Sequence, residues 1–167
     1  MASDLTIRLW NESDSVSELT ALLHRSYKQL ADMGLRYLAT YQDDEVTLDR
    51  ISTGISYVAE QDGVLIGTIT LYLPDGKGGT PWYERLDVAR FGQFAIEPSL
   101  QKLGIGARLM DVIEEETVKH NIPELALDTA EPAVHLIRYY ERRGYRFIEH
   151  AQWEAANYRS VIMSKTL

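Results

Sequence analysis

The chain has 167 residues, 45% hydrophobic and 10% aromatic, which suits one domain with a sizeable core spanning residues 1–167. It has no cysteine, which excludes disulfides and a cysteine nucleophile, and its four histidines (24, 120, 135 and 150) lack ligand spacing, so no metal is expected. The formal net charge is -8, and residues 1–99 carry 8 Lys/Arg against 15 Asp/Glu, a balance that disfavours nucleic acid and is compatible with a cationic amine acceptor.

The first residues, Met1 to Asp4, lack the basic and then apolar pattern of a secretion signal. Residues 5–10 alternate enough for a first strand. Ser13 or Asp14 can cap the helix that follows, in which Val16, Leu19, Leu23, Tyr27 and Leu30 share one face at spacings of three and four. Gly34 suits its end, and residues 35–42 are ambiguous. Asp43, Asp44 and Glu45 open a short helix to Ser52. Residues 55–59 and 64–73 flank a Gln-Asp-Gly turn and predict a β-hairpin. The segment 74–81, with three glycines and two prolines, breaks regular structure.

A strand from about Arg90 to Ile96 leads through Glu97-Pro98-Ser99 to Gln101, Lys102, Leu103, Gly104, Ile105, Gly106 and Ala107. The amphipathic helix opening there carries Ile105, Leu109, Val112 and Ile113 on one face. The first N–H groups of a helix have no intrahelical partner, and the helix dipole adds partial positive charge. Strand, glycine loop and helix N-terminus together predict a phosphate-bearing ligand. Ala107-Arg108 replaces the Lys-Ser/Thr of a nucleoside-triphosphate loop. The third glycine of a dinucleotide fingerprint is also missing. A buried strand over 124–130, a helix over 133–143 and strands near 145–153 and 159–166 complete the chain. No apolar run approaches the roughly 20 residues needed to cross a bilayer, so no membrane partner is expected and a cytoplasmic location is.

The pattern Gln101-x-x-Gly104-x-Gly106, followed downstream by Tyr140-Glu141-Arg142-Arg143-Gly144-Tyr145, resembles the GCN5-related N-acetyltransferase family over roughly residues 5–167. That resemblance implies an α/β fold: a mixed, mostly antiparallel central sheet flanked by helices on both faces, its fourth and fifth strands splayed apart. It implies acetyl-CoA as co-substrate, held at the pyrophosphate by the backbone N–H groups of residues 103–107 with side-chain contacts from Gln101 or Lys102, and at the pantetheine amides by the backbone of Ile96. It implies direct transfer of an acetyl group to a primary amine, on a small molecule or a protein, in a ternary complex. A non-catalytic acyl-CoA-binding domain of the same fold is the alternative, and a homodimer is left open.

Tyr140 matches the family tyrosine that protonates the departing CoA sulfur, a task within a phenol's reach. Tyr139 leaves the helix about 100° away. The general base is open: Gln93 stands near the position of a family glutamate, with Glu97, Asp128 and Glu84 as substitutes. Ala133 stands where the family often has asparagine. Trp82, Tyr83 and Glu84, in the long segment 74–90, are candidate acceptor contacts, since aromatic and acidic groups suit an amine.

Overall fold

The computed structural model describes residues 4–167; residues 1–3, part of the segment inspected for a secretion signal, lie outside it. In chain order it comprises β1 (Leu5–Leu9), α1 (Val16–Asp32), a 3-10 turn (Leu38–Thr40), α2 (Asp44–Ser52), β2 (Ile55–Gln61), β3 (Val64–Tyr72) and β4 (Val88–Ile96). A second 3-10 turn (Pro98–Leu100), α3 (Ile105–Lys119), β5 (Glu124–Ala130), α4 (Val134–Arg142), β6 (Arg146–Ala151) and β7 (Ser160–Thr166) follow. The strands form one sheet in the order β1-β2-β3-β4-β5-β7-β6. Every pairing is antiparallel except β4 with β5. That parallel pair requires a crossover, which α3 supplies.

The β2–β3 hairpin closes through the two-residue turn Asp62-Gly63, with Gln61 opposite Val64. On one face of the sheet, Leu109, Met110 and Ile113 of α3 pack with Ile69, Leu71, Phe91, Leu125 and Tyr140. On the other, Leu19, Leu22 and Leu23 of α1 pack with Ile51 and Ala95. Leu109 and Leu22 are fully buried, and truncating either to alanine costs about 2–5 kcal/mol.

The cap of α1 differs from expectation. Ser15, not Ser13 or Asp14, accepts from the Glu18 N–H, at 3.2 Å. Asp14 is instead held by the Arg8 guanidinium at 2.7 and 2.8 Å. A charge-assisted fork is stronger than a neutral cap bond, so it claims the carboxylate. The ambiguous stretch 35–42 is the 3-10 turn with its flanks, and it places Tyr37 beside β5.

Candidate active site

β4 and β5 pair over only three positions, Val88 with Glu124, Ala89 with Leu125 and Arg90 with Ala126. Beyond them β4 stays on β3 and β5 stays on β7, so the two strands part. The cause sits in β4. Its register against β3 slips between Thr68 and Thr70, and Gln93 there is left-handed, with φ of 53°. A bulge of this kind bends its strand and increases the local twist. Gln93 is buried, and neither amide atom has a partner among the described residues. Asp128 is exposed in a strand whose other residues are buried, because it faces the opening.

Three tyrosines bridge the gap. Tyr27 donates to the Phe94 carbonyl of β4 at 2.9 Å. The Ala130 N–H of β5 donates to the Tyr37 hydroxyl at 2.8 Å. The Tyr27 and Tyr37 rings lie 5.6 Å apart, and Tyr158 packs on Tyr37 at 4.9 Å. Burial raises all three phenols above their ordinary 10.0, so they stay neutral hydrogen-bonding groups.

At the end of β4, Lys102 and Gly104 adopt left-handed conformations, φ 69° and 88°, and turn the chain into α3. The Gly104 carbonyl takes the first helical bond, from the Arg108 N–H at 3.1 Å. The N–H groups of Gly104, Ile105, Gly106 and Ala107 have no acceptor among the described residues, and no acid stands in the first turn. Gly106 lies against β4: a Cβ there would stand 3.3 Å from the Phe94 ring and 3.7 Å from the Tyr139 hydroxyl. The amide of Gln101 reaches the Ile96 carbonyl at 3.4 Å, and the Ile96 N–H reaches the Ser26 hydroxyl at 3.3 Å. Both bonds are at the long limit, so these backbone groups are weakly engaged on the open side of the strand. Lys102 and Leu103 are exposed on the same loop. The loop fits an anion, and the parted strand offers amide-binding groups to an extended arm.

Tyr140 is packed at the edge of this opening. Its ring lies 6.0 Å from Phe91 and 6.1 Å from Tyr145, and its hydroxyl has no hydrogen-bond partner among the described residues. Burial pushes the Tyr140 phenol well above its ordinary 10.0, which keeps it protonated. Tyr139 directs its hydroxyl toward Gly106 instead.

A pocket of about 300 Å³ opens beside the parted strands. Arg50, Tyr72, Tyr83, Arg90, Phe91, Gly92, Asp128 and Trp153 are among the residues that line it. Arg90, Gly92 and Asp128 alternate along their strands with Phe91 and Leu127, which pack toward α3 and α4. The pocket therefore lies largely on the sheet face opposite Tyr140, and the two sides meet at Phe91.

Of the three residues suggested for the acceptor, only Tyr83 lines the pocket; its hydroxyl donates to Asp128 at 2.8 Å. Trp82 packs beside Arg85 and Arg146, and Glu84 is exposed; neither lines the pocket. The Trp153 indole donates to the second Asp128 oxygen at 3.0 Å. Among the candidate bases, Glu97 is paired with Arg25 at 2.7 Å, which leaves Asp128 as the carboxylate facing the cleft. Arg50 and Arg90 were not anticipated from sequence. An isolated arginine in a helix or strand carries no signal that it will meet another some 40 residues away.

Parted strands beside N–H groups that lack acceptors among the described residues form a cleft that fits an anion on an extended, amide-bearing arm. The sequence model of the Acetyltransferase (GNAT) family matches residues 16–145, and the chain belongs to that family. It is 36% identical over 140 residues to the S-(2-succino)cysteine N-acetyltransferase of Bacillus subtilis (strain 168), covering 83% of this chain and 82% of the relative. It is 28% identical over 149 residues to the S-alkylcysteine N-acetyltransferase of the same organism, covering 86% and 79%. A GNAT acetyltransferase from Elizabethkingia anophelis, solved with acetyl-CoA bound, superimposes with a TM-score of 0.68 at 15% identity over 98% of both chains, a likeness of fold. The chain is an enzyme that uses acetyl-CoA to acetylate an amine. Among the described residues no helix is long and apolar enough to cross a membrane, and no group of three or more His, Cys, Asp or Glu could hold a metal ion.

Proposed function

We propose that the acceptor is the α-amine of an S-substituted cysteine, acetylated by direct attack in a ternary complex within a single domain over residues 1–167. The observation that carries this reading is the shared acceptor class of the two curated relatives, cysteines bearing a group on sulfur. The small pocket beside the parted strands agrees with it: about 300 Å³ is at the low end for ligand sites and suits an amino acid better than a folded protein tail.

In this reading acetyl-CoA supplies the thioester. The N–H groups of residues 103–107 hold its pyrophosphate, with Gln101 and Lys102 at the flank, and Ile96 offers its backbone to the pantetheine arm. Asp128, with one bond accepted at each oxygen, has lone pairs left to receive the acceptor ammonium and its proton. The neutral amine then attacks the thioester carbon. As the C–N bond forms and the C–S bond breaks, Tyr140 gives its proton to the departing sulfur, the attacking nitrogen sheds its second proton to solvent, and Tyr140 and Asp128 regain their resting states by exchange with solvent. Such an enzyme would work in the cytoplasm, where acetyl-CoA is at hand.

The test is thiol release with saturating acetyl-CoA across S-substituted cysteines, polyamines and lysine peptides. Cysteine conjugates should turn over with kcat/KM at least roughly tenfold above the others. Selective acetylation of a polyamine or a peptide lysine, with cysteine conjugates inert, would refute the proposal.

A further inference from the structure

We propose that Arg50 and Arg90 make the pocket selective for cysteine conjugates whose S-substituent itself bears a carboxylate; this rests on the acceptor class proposed above. The two arginines enter from different elements, the last turn of α2 and the first third of β4. Both are half-buried, and both line the same pocket. Among the described residues neither makes an ion pair, whereas eight other Lys or Arg residues do. Their partners are neutral. Arg50 donates to the Gln42 amide oxygen at 2.8 Å, and Arg90 to the Gly78 carbonyl at 3.4 Å.

Neither contact neutralises a guanidinium; the one to Gln42 fixes Arg50, and the one to Gly78, at the long limit, holds Arg90 only loosely. Gln42 is itself fixed, fully buried and donating to Thr47 at 2.7 Å. The Tyr83 ring lies under Arg90, with the guanidinium carbon 5.1 Å from its centroid. Gly92 leaves Arg50 open toward the pocket: a Cβ there would stand 3.8 Å from its Nη2. A guanidinium matches a carboxylate with two parallel bonds, and such bonds strengthen away from bulk water.

The pocket therefore presents two cations and one anion, Asp128. An acceptor with one ammonium and one carboxylate leaves an arginine without a counter-ion. A succinyl thioether adds two carboxylates, for three in all: two meet the arginines, the ammonium meets Asp128, and the third stays at the solvent-facing mouth. This pocket charge is opposite in sign to the acidic surface that suggested a cationic acceptor. Net charge describes the surface as a whole and not the lining of one cleft.

The experiment compares kcat/KM for S-(2-succino)cysteine and S-propylcysteine in the parent, Arg50→Gln and Arg90→Gln, with melting temperature as the check on folding. The parent should favour the succino conjugate at least tenfold. At least one glutamine variant should lower the ratio of the two kcat/KM values by roughly 10- to 100-fold, the worth of a charged hydrogen-bond pair. Arg50→Lys and Arg90→Lys, which keep the charge and lose the fork, should recover part of that ratio. They also carry the test if a glutamine variant does not fold. A parent that turns over both conjugates equally, or a ratio unmoved in every variant, overturns the arginine assignment and leaves the cysteine-conjugate reading standing. Turnover of neither conjugate overturns both.

Discussion

Replacing Tyr140 by phenylalanine should separate stability from catalysis. The ring is 8% exposed and holds the contacts to Phe91, Tyr145 and Tyr139, all of which phenylalanine retains. The hydroxyl has no partner among the described residues, so its removal breaks no internal hydrogen bond. The stability change should stay within about 1 kcal/mol, or about 2–4 °C in Tm for a chain of this size. If the hydroxyl protonates the leaving thiolate, kcat should fall by roughly 10²-fold, equivalent to about 2.7 kcal/mol of barrier. The raised phenol pKa adds a second signature. A proton donor works while protonated, so the parent should show no loss of kcat attributable to this group up to about pH 10. Thiol release under single-turnover conditions is the assay, because slow product release would mask the chemical step. Tyr139→Phe is the control: its hydroxyl faces Gly106, so the change should fall on the KM for acetyl-CoA more than on kcat. An unchanged single-turnover rate in Tyr140→Phe would remove this residue from the mechanism and leave the proton to water.

Two further outcomes test the scaffold. Gly106→Val should fold, since the Phe94 ring 3.3 Å from the new Cβ need give only slightly, at a stability cost of about 1–3 kcal/mol. It should nevertheless lose the rise in Tm that acetyl-CoA gives the parent; a full shift in the folded variant would displace the phosphate site from this loop. The hydrogen bond from Arg8 holds the Asp14 carboxyl below its ordinary 3.8. A depressed folded-state pKa contributes stability that is complete above the unfolded value and lost as pH falls through the folded one. Asp14→Asn should therefore lower Tm at pH 7, and the difference should shrink as pH falls below the ordinary 3.8 and through the depressed folded-state value; a constant difference across that range, followed by calorimetry, would show that Asp14 acts by packing rather than charge.

What the sequence determined by itself is local. The loop at 101–107 is consecutive in the chain, and its glycines, the following amphipathic stripe and the preceding strand all lie within about two dozen residues. A hairpin with a two-residue turn and a helix with a stripe of leucines are equally short-range, because period and turn chemistry act between near neighbours. Even there, neighbours compete: Asp14 had the right chemistry to cap α1, and Arg8 took it. The acceptor pocket is a different kind of object. Arg50, Tyr83, Arg90, Asp128 and Trp153 come from five separate segments, and only the sheet order and the alternation of β4 and β5 bring them to one face. The opening itself depends on a single extra residue at Gln93, which a strand pattern does not reveal because a bulge alters pairing with β3 rather than the composition of β4. The charge of the cleft was likewise decided in three dimensions. An acidic chain can enclose a cationic pocket when two arginines are held by neutral partners, and nothing short of the tertiary structure says which partners those are.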